Sequence, residues 1–392
     1  MRENFDTGED SLEFKIPEKT GDLTALVDAD FIPYLVGFTA DIHEYNRALL
    51  EEDLYSTSFW RNCVSRAEDL LKKYLDMSGC DSAIFYITDS ENNFRKDIAV
   101  TKTYKGHRSA DKPPCFYELK SWLEHTIGAV ASDHCEADDE ISIEAWKRTK
   151  DLAAEGIDMW KPAHKKWSSY IIISKDKDLN IIPGWHLNMD TGEKYWVDKL
   201  GSLDPVYKPK EVTEYELQPV FDGVATTAGH CDYLHDGVLY NYGSGPLSEA
   251  DCKDVSNCLW VLDGRVQDLY KSGKDKGKPK FLRVNKGKML VDVIDRLKGS
   301  GLKFFYSQLI TGDTADCYSG IKGAGPAKAF DALNECRSER ELYDTVYQMY
   351  REKYRAGAYD YMLEQAQLAW MQTYKGELWQ HLAGSRQASF PL

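Results

Sequence analysis

Residues 23–30 read LTALVDAD, an apolar run that ends in two aspartates, Asp28 and Asp30. A short, continuous apolar run predicts a strand that is buried on both faces, as strands of parallel sheets are. The same pattern returns at Ala83–Thr88, which runs into Asp89. The chain therefore repeats a unit in which a buried strand delivers a carboxylate at its end.

Helical stretches alternate with these strands. Apolar residues recur at helical spacing over 46–75, and a second helix is predicted from the acidic cluster at Glu136 to about Ala154. A third buried strand, Tyr170–Ser174, again precedes acidic residues. The alternation predicts an α/β fold with a mostly parallel sheet flanked by helices, whose ligands bind outside the carboxyl ends of the strands.

Nine acidic residues follow these strands, open the second helix or lie in the motif ITGDTADCYSG (310–320). Their like charges would repel one another in a shared cleft unless cations neutralised them. Oxygen ligands without a His/Cys set favour Mg²⁺ or Mn²⁺ over Zn²⁺. Two such ions roughly 4 Å apart would clamp the attacking water and the leaving oxygen of a phosphodiester. We expect Asp30 only to support Asp28, and the predicted ligands are Asp28, Asp89, Glu136, Asp138, Asp139, Asp176, Asp178, Asp313 and Asp316.

Composition divides the chain into five segments. We predict an acidic lead-in (1–22), a nuclease-type core (23–183), an insertion (184–300), a Gly-punctuated helix–turn–helix (301–338) and two C-terminal helices, about 339–355 and 359–382. The insertion is the main unknown, since 135 residues separate Asp178 from Asp313.

The charge of the 392 residues is unevenly distributed. A net charge of −15 counts against nucleic-acid binding, but residues 271–303 hold eleven Lys/Arg against three Asp. Nine irregularly spaced cysteines predict reduced thiols. No run approaches the length of a membrane-spanning helix, so we expect a cytoplasmic protein without a membrane partner.

The ordered series LVDAD, TDS followed by RKD and YKGHR, CEADDE, SKDKDL and GDTADCYSGIKGAGPAKA resembles the bacteriophage and bacterial 5′-nucleases. These form the 5′–3′ exonuclease and flap endonuclease superfamily, with a PIN-like α/β core. The resemblance covers about 23–179 and 308–333, and the placement of Asn93, Arg95 and Lys96 resembles the phage exonuclease branch. It implies hydrolysis of DNA from 5′ ends in phage replication or primer removal, in a host bacterial cytoplasm.

The resemblance also implies roles for individual residues. Asp28, Asp89, Glu136, Asp138 and Asp139 would form the inner metal cluster, and Asp176, Asp178, Asp313 and Asp316 would complete a second metal site. Lys105 matches the catalytic lysine and Arg108 a phosphate contact. A lysine near two metals can neutralise charge that develops on the scissile phosphate. The implied partners are duplex DNA with 5′ ends, nicks or flaps, RNA·DNA hybrids, and replication proteins.

The stretch GIKGAGPAKA (320–329) predicts a duplex anchor. Gly320, Gly323 and Gly325 permit tight turns and close backbone approach, and the next helix offers N–H groups to a phosphate, with Lys328 nearby. By resemblance the turn also holds a monovalent cation, K⁺.

Two interpretations of the basic segment stay open: a DNA-tracking element beside the duplex anchor, or a solvated linker. The DNA-tracking candidates are Lys274, Lys276, Lys278, Lys280 and Arg283. The insertion's aromatic residues either form its own small core or stack on bases. Its histidines and cysteines (His230, Cys231, His235, Cys252 and Cys258) lack the tight spacing of a zinc finger or ribbon.

Two further function classes remain. A PIN-type ribonuclease would share the acidic cluster but would not need the duplex anchor. A non-catalytic DNA-structure-binding protein should have lost an inner carboxylate, whereas every position is filled here. The roughly thirty residues between Lys105 and Glu136 leave room for one helix, which favours exonucleolytic processing over the threading of long flaps.

Overall fold

A computed structural model of the chain describes residues 23–50, 53–89, 92–107, 111–221, 224–225, 230–236, 238–244, 258–262 and 265–380. It divides into two compact units. The smaller unit is Tyr207–Ile294, and the larger unit comprises the described residues on either side of it.

Six strands form one sheet in the larger unit. They are β1 (Thr24–Asp28), β2 (Ser82–Ile87), β3 (Val130–Ala131), β4 (Tyr170–Ile173), β5 (Gly184–Leu187) and β6 (Lys194–Val197). Their spatial order is β3-β2-β1-β4-β5-β6, with parallel pairing from β3 to β5 and an antiparallel β5–β6 pair. The predicted α/β class with a mostly parallel sheet is confirmed, and the carboxyl ends of β1, β2 and β4 share one edge.

Helices cover the sheet. In the described part of the larger unit they are α1 (Phe31–Gly37), α2 (Ile42–Ala48), α3 (Ser58–Ser78), α4 (Phe94–Ile98), α5 (Phe116–Trp122), α6 (Ala137–Ala154), α7 (Gly301–Thr311), α8 (Pro326–Leu333), α9 (Glu339–Tyr354) and α10 (Ala358–Ala369). Val27 of β1 faces a core built with α1, α3 and α5, whereas the neighbouring Leu26 packs on the α6 side. This alternation explains why β1 is buried at every position and why its central residues Ala25–Val27 are all apolar.

The helix predicted over 46–75 is interrupted. α2 ends at Ala48, a short 3₁₀ turn covers Leu54–Ser56, and α3 begins only at Ser58. The break is set by capping, because the Thr57 hydroxyl accepts a 3.1 Å hydrogen bond from the backbone N–H of Trp60. Apolar spacing alone does not reveal that cap.

The insertion is shorter than predicted. β5 and β6 extend the sheet of the larger unit, so residues 184–197 belong to the core, and the compact insertion begins at Tyr207. The physical reason is strand pairing, since β5 lies parallel beside β4 with Ile172 opposite His186. The basic segment is not a loop throughout, because Phe281–Gly299 forms one long strand.

The smaller unit is built from antiparallel β-structure. Its strands include His230–His235, Val238–Ser244 and Leu259–Leu262, and a small core gathers Phe221, Trp260 and Leu262, with Tyr233 packed against it. Several of the insertion's aromatic residues therefore form its own core. Tyr195 and Trp196 instead lie on β6 of the main sheet.

Among the described residues, four α-helices follow the insertion. α7, a turn at 312–325 and α8 give the predicted helix–turn–helix, and α9 and α10 pack with them around Phe305, Leu342 and Ala366. The last helix ends at Ala369 rather than near 382, because Trp370 turns into extended backbone.

Two further features concern cysteines and membranes. The seven cysteines whose side chains the structure describes are free thiols. Among the described residues, no helix has the length and apolar character required to cross a bilayer.

Candidate active site

A polar cavity lies at the carboxyl edge of the sheet. Five carboxylates line it, joined by Arg95, Tyr104, Lys105 and Tyr318, while Leu368, Ala369 and Met371 form an apolar wall. The carboxylates come from the start of α6, from the segment after β4 and from the turn after α7; they are Glu136, Asp138, Asp176, Asp178 and Asp316. The fold thus brings together residues that are up to 180 positions apart.

Asp28 lies beside this cavity, at the end of β1. Its side chain is buried and accepts hydrogen bonds from the Ser174 hydroxyl (2.8 Å) and the Asp30 backbone N–H (3.0 Å). Burial, followed by the charge of Asp30, raises its pKa to about 7. Asp30 itself accepts from the N–H of Thr88, so it ties β1 to the end of β2. The supporting role suggested for Asp30 toward Asp28 stays a prediction.

Burial and neighbouring negative charge raise the pKa values of two cavity carboxylates, Asp138 and Asp178. Burial and then the charges of Asp176 and Asp28 raise the pKa of Asp138 well above its usual value. Burial and Asp176 raise the pKa of Asp178 to about 7. Asp178 also accepts a 2.5 Å hydrogen bond from the Gln308 amide. The carboxylates are close enough to resist simultaneous ionisation, as a site built for cations does.

Lys105 points into the cavity. Its ammonium group contacts Glu136 and lies 3.7 Å from Asp316. Although burial opposes it, the charges of Lys105 and Arg95 lower the pKa of Glu136. The Tyr104 hydroxyl lies 3.1 Å from both Glu136 and Asp316. Lys105 has a left-handed backbone (φ 51°), a conformation that costs a non-glycine residue on the order of 1 kcal/mol.

Asp139 does not line the cavity with its neighbours. It is fully buried in a two-pronged pair with Arg95, at 2.5 and 2.9 Å, and its oxygens also accept from the backbone N–H groups of Glu136 and Gln372. Asp139 lies on the buried side of α6, so the helix turns it away from Asp138. Arg95 and two backbone N–H groups thus occupy Asp139 in this structure, and the ligand role that the resemblance implied stays a prediction.

Asp313 organises the turn after α7. It is buried, accepts a 2.6 Å hydrogen bond from the Ala315 N–H and pairs with the ammonium group of Lys177 at 2.5 Å. Lys177 lies 3.8 Å from Asp178 as well. Lys177 could not be selected from the sequence, because a lysine between two aspartates is ordinarily a solvated loop residue.

Asp89 is another predicted ligand that does not line the cavity. Asp89 is exposed after β2, and its backbone N–H donates to the Ser132 hydroxyl (3.0 Å). Arg108 lies outside the described residues.

The donor set fits a hard divalent cation in its chemistry. It consists of carboxylate oxygens, and burial first and neighbouring carboxylates second raise the pKa values of Asp28, Asp138 and Asp178. In the described part of the chain, however, no group of three His, Cys, Asp or Glu side chains is already arranged to hold an ion. The ammonium groups of Lys105 and Lys177 pair with carboxylates instead. Metal binding would therefore require these lysines to exchange partners.

In the predicted anchor turn, the backbone at Gly320 packs directly against another part of the backbone. Gly320 has φ 58°, and a Cβ there would meet backbone atoms of Gly312 and Ile310 at 2.4–2.9 Å, so only glycine fits. Gly323 is also left-handed (φ 84°), whereas Gly325 is extended and caps α8. Lys328 is exposed near the turn, where its ammonium group lies 3.3 Å from the Gly323 carbonyl.

In the smaller unit, the predicted basic residues make local contacts. Lys278 pairs with Asp275 (3.0 Å), Lys280 lies 3.6 Å from Asp268, and Arg283 stacks over the Tyr215 ring. Lys274 and Lys276 are exposed. Of the zinc candidates, the Cys258 thiol lies 3.4 Å from His235. Cys252 and the side chains of His230 and Cys231 lie outside the described residues.

The chain is similar to solved structures of a bacteriophage T5 nuclease. It matches a T5 protein co-crystallised with metal ions (13% identity, TM-score 0.35, covering 88% of this chain and 92% of that one). It also matches a mutant T5 5′-exonuclease (13%, 0.31, 88% and 91%) and a T5 flap endonuclease in a pseudo-enzyme–product complex with DNA and metal ions (11%, 0.34, 88% and 98%). No protein-family model and no curated protein matches. These superpositions are loose, so the function must be inferred from the chain's own residues.

Proposed function

We propose that the chain is a metal-dependent 5′-nuclease that hydrolyses phosphodiester bonds of DNA from 5′ ends. One observation supports this above all: five carboxylates from three separate segments converge with Lys105 on a single cavity. Like charges at one strand edge repel one another, and a bound cation would reduce this repulsion beyond what Lys105 already does. The motif series that resembles the 5′-nucleases supplies these same residues.

The metal site would be formed by the cavity carboxylates with Asp28 beside them. Asp28, Glu136 and Asp138 would hold one Mg²⁺ or Mn²⁺, and Asp176, Asp178 and Asp316 a second. Bound divalent ions supply an activated water and stabilise the leaving oxygen. Asp139 and Asp313 would act on this set indirectly, through Arg95 and Lys177.

The chain's own residues would orient the scissile phosphate. The ammonium group of Lys105 carries a positive charge into the cavity and would meet charge that develops on the phosphate in the transition state. The wall of Leu368, Ala369 and Met371 would limit water on one side. Arg108 would contact a phosphate, as the resemblance implies.

Duplex DNA would be held by the turn between α7 and α8. Gly320 lets the turn pack closely on Gly312 and Ile310, Gly323 leaves open space in which a phosphate could approach the backbone, and Lys328 adds an exposed positive charge. A K⁺ ion at residues 320–325 would fit the role implied by resemblance. The lysines of the smaller unit, with Arg283, would add contacts to the DNA backbone.

Exonucleolytic action on recessed or nicked 5′ ends is the favoured activity. Between Lys105 and Glu136, the described residues form α5, which runs directly into one π-helical turn at Leu123–Ile127. This element is short for threading a long flap. RNA·DNA hybrids, as in primer removal, are a second substrate, and replication proteins are the expected partners.

A substrate panel tests the proposal. 5′-labelled blunt, nicked and flapped duplex DNA, single-stranded RNA and an RNA·DNA hybrid are incubated with the protein in Mg²⁺. Release of short 5′ products from nicked or blunt DNA supports the 5′-nuclease. Cleavage of RNA alone identifies a PIN-type ribonuclease, and tight DNA binding without cleavage identifies a non-catalytic DNA-binding protein.

A further inference from the structure

The last helix of the core, α10, contacts both the loop that carries Lys105 and the turn proposed to anchor DNA. The loop, residues 99–107, follows α4, and we call it the Lys105 loop. Two consecutive residues of α10 reach these two elements, Glu364 and Gln365. Neither residue belongs to a motif in the sequence.

Glu364 holds the base of the Lys105 loop. One of its carboxylate oxygens, Oε1, accepts three hydrogen bonds: from the backbone N–H of Val100 (2.8 Å), the backbone N–H of Thr101 (2.7 Å) and the Thr101 hydroxyl (3.0 Å). Hydrogen bonds to a charged acceptor are stronger than neutral ones. A single side chain therefore fixes the backbone four residues before Lys105.

The loop needs such restraint. Lys105 is left-handed, and its N–H donates to the Asp316 carbonyl at 3.2 Å, while the N–H of Gly106 closes a turn onto Thr103 at 3.1 Å. A strained conformation persists only where its surroundings over-determine it. Glu364 restrains the loop at one end, and the Asp316 carbonyl restrains it at the other.

Gln365 holds the neighbouring turn. It is fully buried, and its amide oxygen accepts from the backbone N–H groups of Ser319 (2.9 Å) and Gly320 (3.2 Å). Buried Arg95 holds the carboxyl end of the same helix, because it donates hydrogen bonds to the carbonyl oxygens of Leu368 and of Trp370, the residue that follows the helix. α10 is thus tied at successive turns to the parts of the site that must be aligned.

We propose that Glu364 is a positioning residue that aims Lys105 into the carboxylate cavity, and that α10 keeps the Lys105 loop in register with the anchor turn. This inference rests on the proposed nuclease function. Glu364 lies outside the cavity lining and acts through the loop backbone.

The test is single-turnover cleavage of 5′-labelled duplex DNA in Mg²⁺. Misplacing a catalytic group by about 1 Å costs up to roughly a hundredfold, so Glu364→Ala should slow cleavage by about tenfold to a hundredfold. DNA affinity should stay within about twofold, because the altered group positions Lys105 rather than binding the duplex. Glu364→Gln keeps an acceptor oxygen and should recover most of the rate. Asp360→Ala removes a carboxylate one turn earlier on the same helix and should match the unaltered chain.

A double variant distinguishes a role of Glu364 in positioning Lys105 from a general loss of folded structure. If Glu364 acts through Lys105, adding Glu364→Ala to Lys105→Ala should cause little further loss, because residues that act as a unit are not additive. Backbone amides of residues 100–106 should also exchange hydrogen faster in Glu364→Ala. Should that variant not fold by circular dichroism, Thr101→Val, which removes one of the three donors, enters the same double-variant comparison.

Each outcome decides a separate point. An unaltered Glu364→Ala rate, an equal loss in Asp360→Ala, or additive losses with Lys105→Ala would overturn the positioning role while the nuclease stands. Failure of the unaltered protein to cleave any 5′-labelled substrate would instead overturn the proposed function, and this inference with it.

Discussion

The carboxylate cavity and the basic insertion are both runs of charge in the sequence, but they differ in how the fold treats them. In the cavity, half-buried carboxylates from distant segments lie together with exposed Asp176, and burial and neighbouring charge raise the pKa values of Asp138 and Asp178. In the smaller unit, Lys278, Lys280 and Lys288 lie at the surface and pair with acids of the same unit. Charge that a fold concentrates costs free energy unless it is paired or bound to an ion, whereas exposed, locally paired charge costs little.

The largest expected effect concerns the carboxylate cavity. Asp176→Ala and Asp178→Ala should each lower cleavage in Mg²⁺ on the order of 10³-fold or more, because each removes a carboxylate proposed to hold a metal ion. DNA binding should survive, since removing a negative charge lessens repulsion of phosphate. Rapid-quench cleavage and fluorescence anisotropy measure the two quantities, and near-normal cleavage in either variant would break the contrast.

The next prediction compares the folding stability of variants at two neighbouring residues of α6, Asp138 and Asp139. Asp139→Asn weakens the partner of fully buried Arg95, and breaking a buried ion pair costs about 3–5 kcal/mol of unfolding free energy. Asp138→Asn removes a charge that burial and Asp176 already oppose, so without metal it should leave stability unchanged or raise it. Urea unfolding of both variants measures the difference. Equal losses of unfolding free energy would mean that Asp138 and Asp139 contribute equally to stability, which would contradict this prediction.

Lys105→Ala should have a smaller effect, confined to chemistry. We expect the single-turnover rate to fall by roughly 10²-fold with little change in duplex affinity, because the lysine would act mainly in the transition state. Weakened binding at an unchanged rate would make Lys105 a binding residue instead.

The smallest expected effect concerns the insertion. Each phosphate contact that is lost reduces the slope of log affinity against log salt by about 0.9. Changing Lys274, Lys276, Lys278 and Lys280 to Ser should flatten this slope by roughly two to four units and leave saturated cleavage nearly intact. An unchanged slope would show that the basic segment is a solvated surface, in line with its local ion pairs.

The sequence places the strand-end acids at one edge of the sheet because strand order alone carries them there. Asp28, Asp138 and Asp178 follow from the buried strand and the helix start beside them. It could not separate Asp139 from Asp138, since which side of α6 faces the cavity depends on how Arg95 and residues 368–372 pack. Glu364 and Gln365 were missed for the same reason, because their partners lie 264 and 46 positions away.

The predicted boundaries of segments and helices were wrong where strand pairing or helix capping determines them. Residues 184–197 look like the start of an insertion by composition, yet β5 and β6 complete the core sheet. The break before α3 depends on the Thr57 cap. Both are contacts between residues rather than properties of a stretch of sequence.

The most direct test of the central claim is cleavage of a 5′-labelled nicked duplex by the unaltered protein as free Mg²⁺ is varied. If the cavity carboxylates hold catalytic ions, cleavage should be absent in excess chelator and should rise to a plateau as Mg²⁺ is restored. Cleavage at the same rate in chelator, or none at any Mg²⁺ or Mn²⁺ concentration, would contradict the claim.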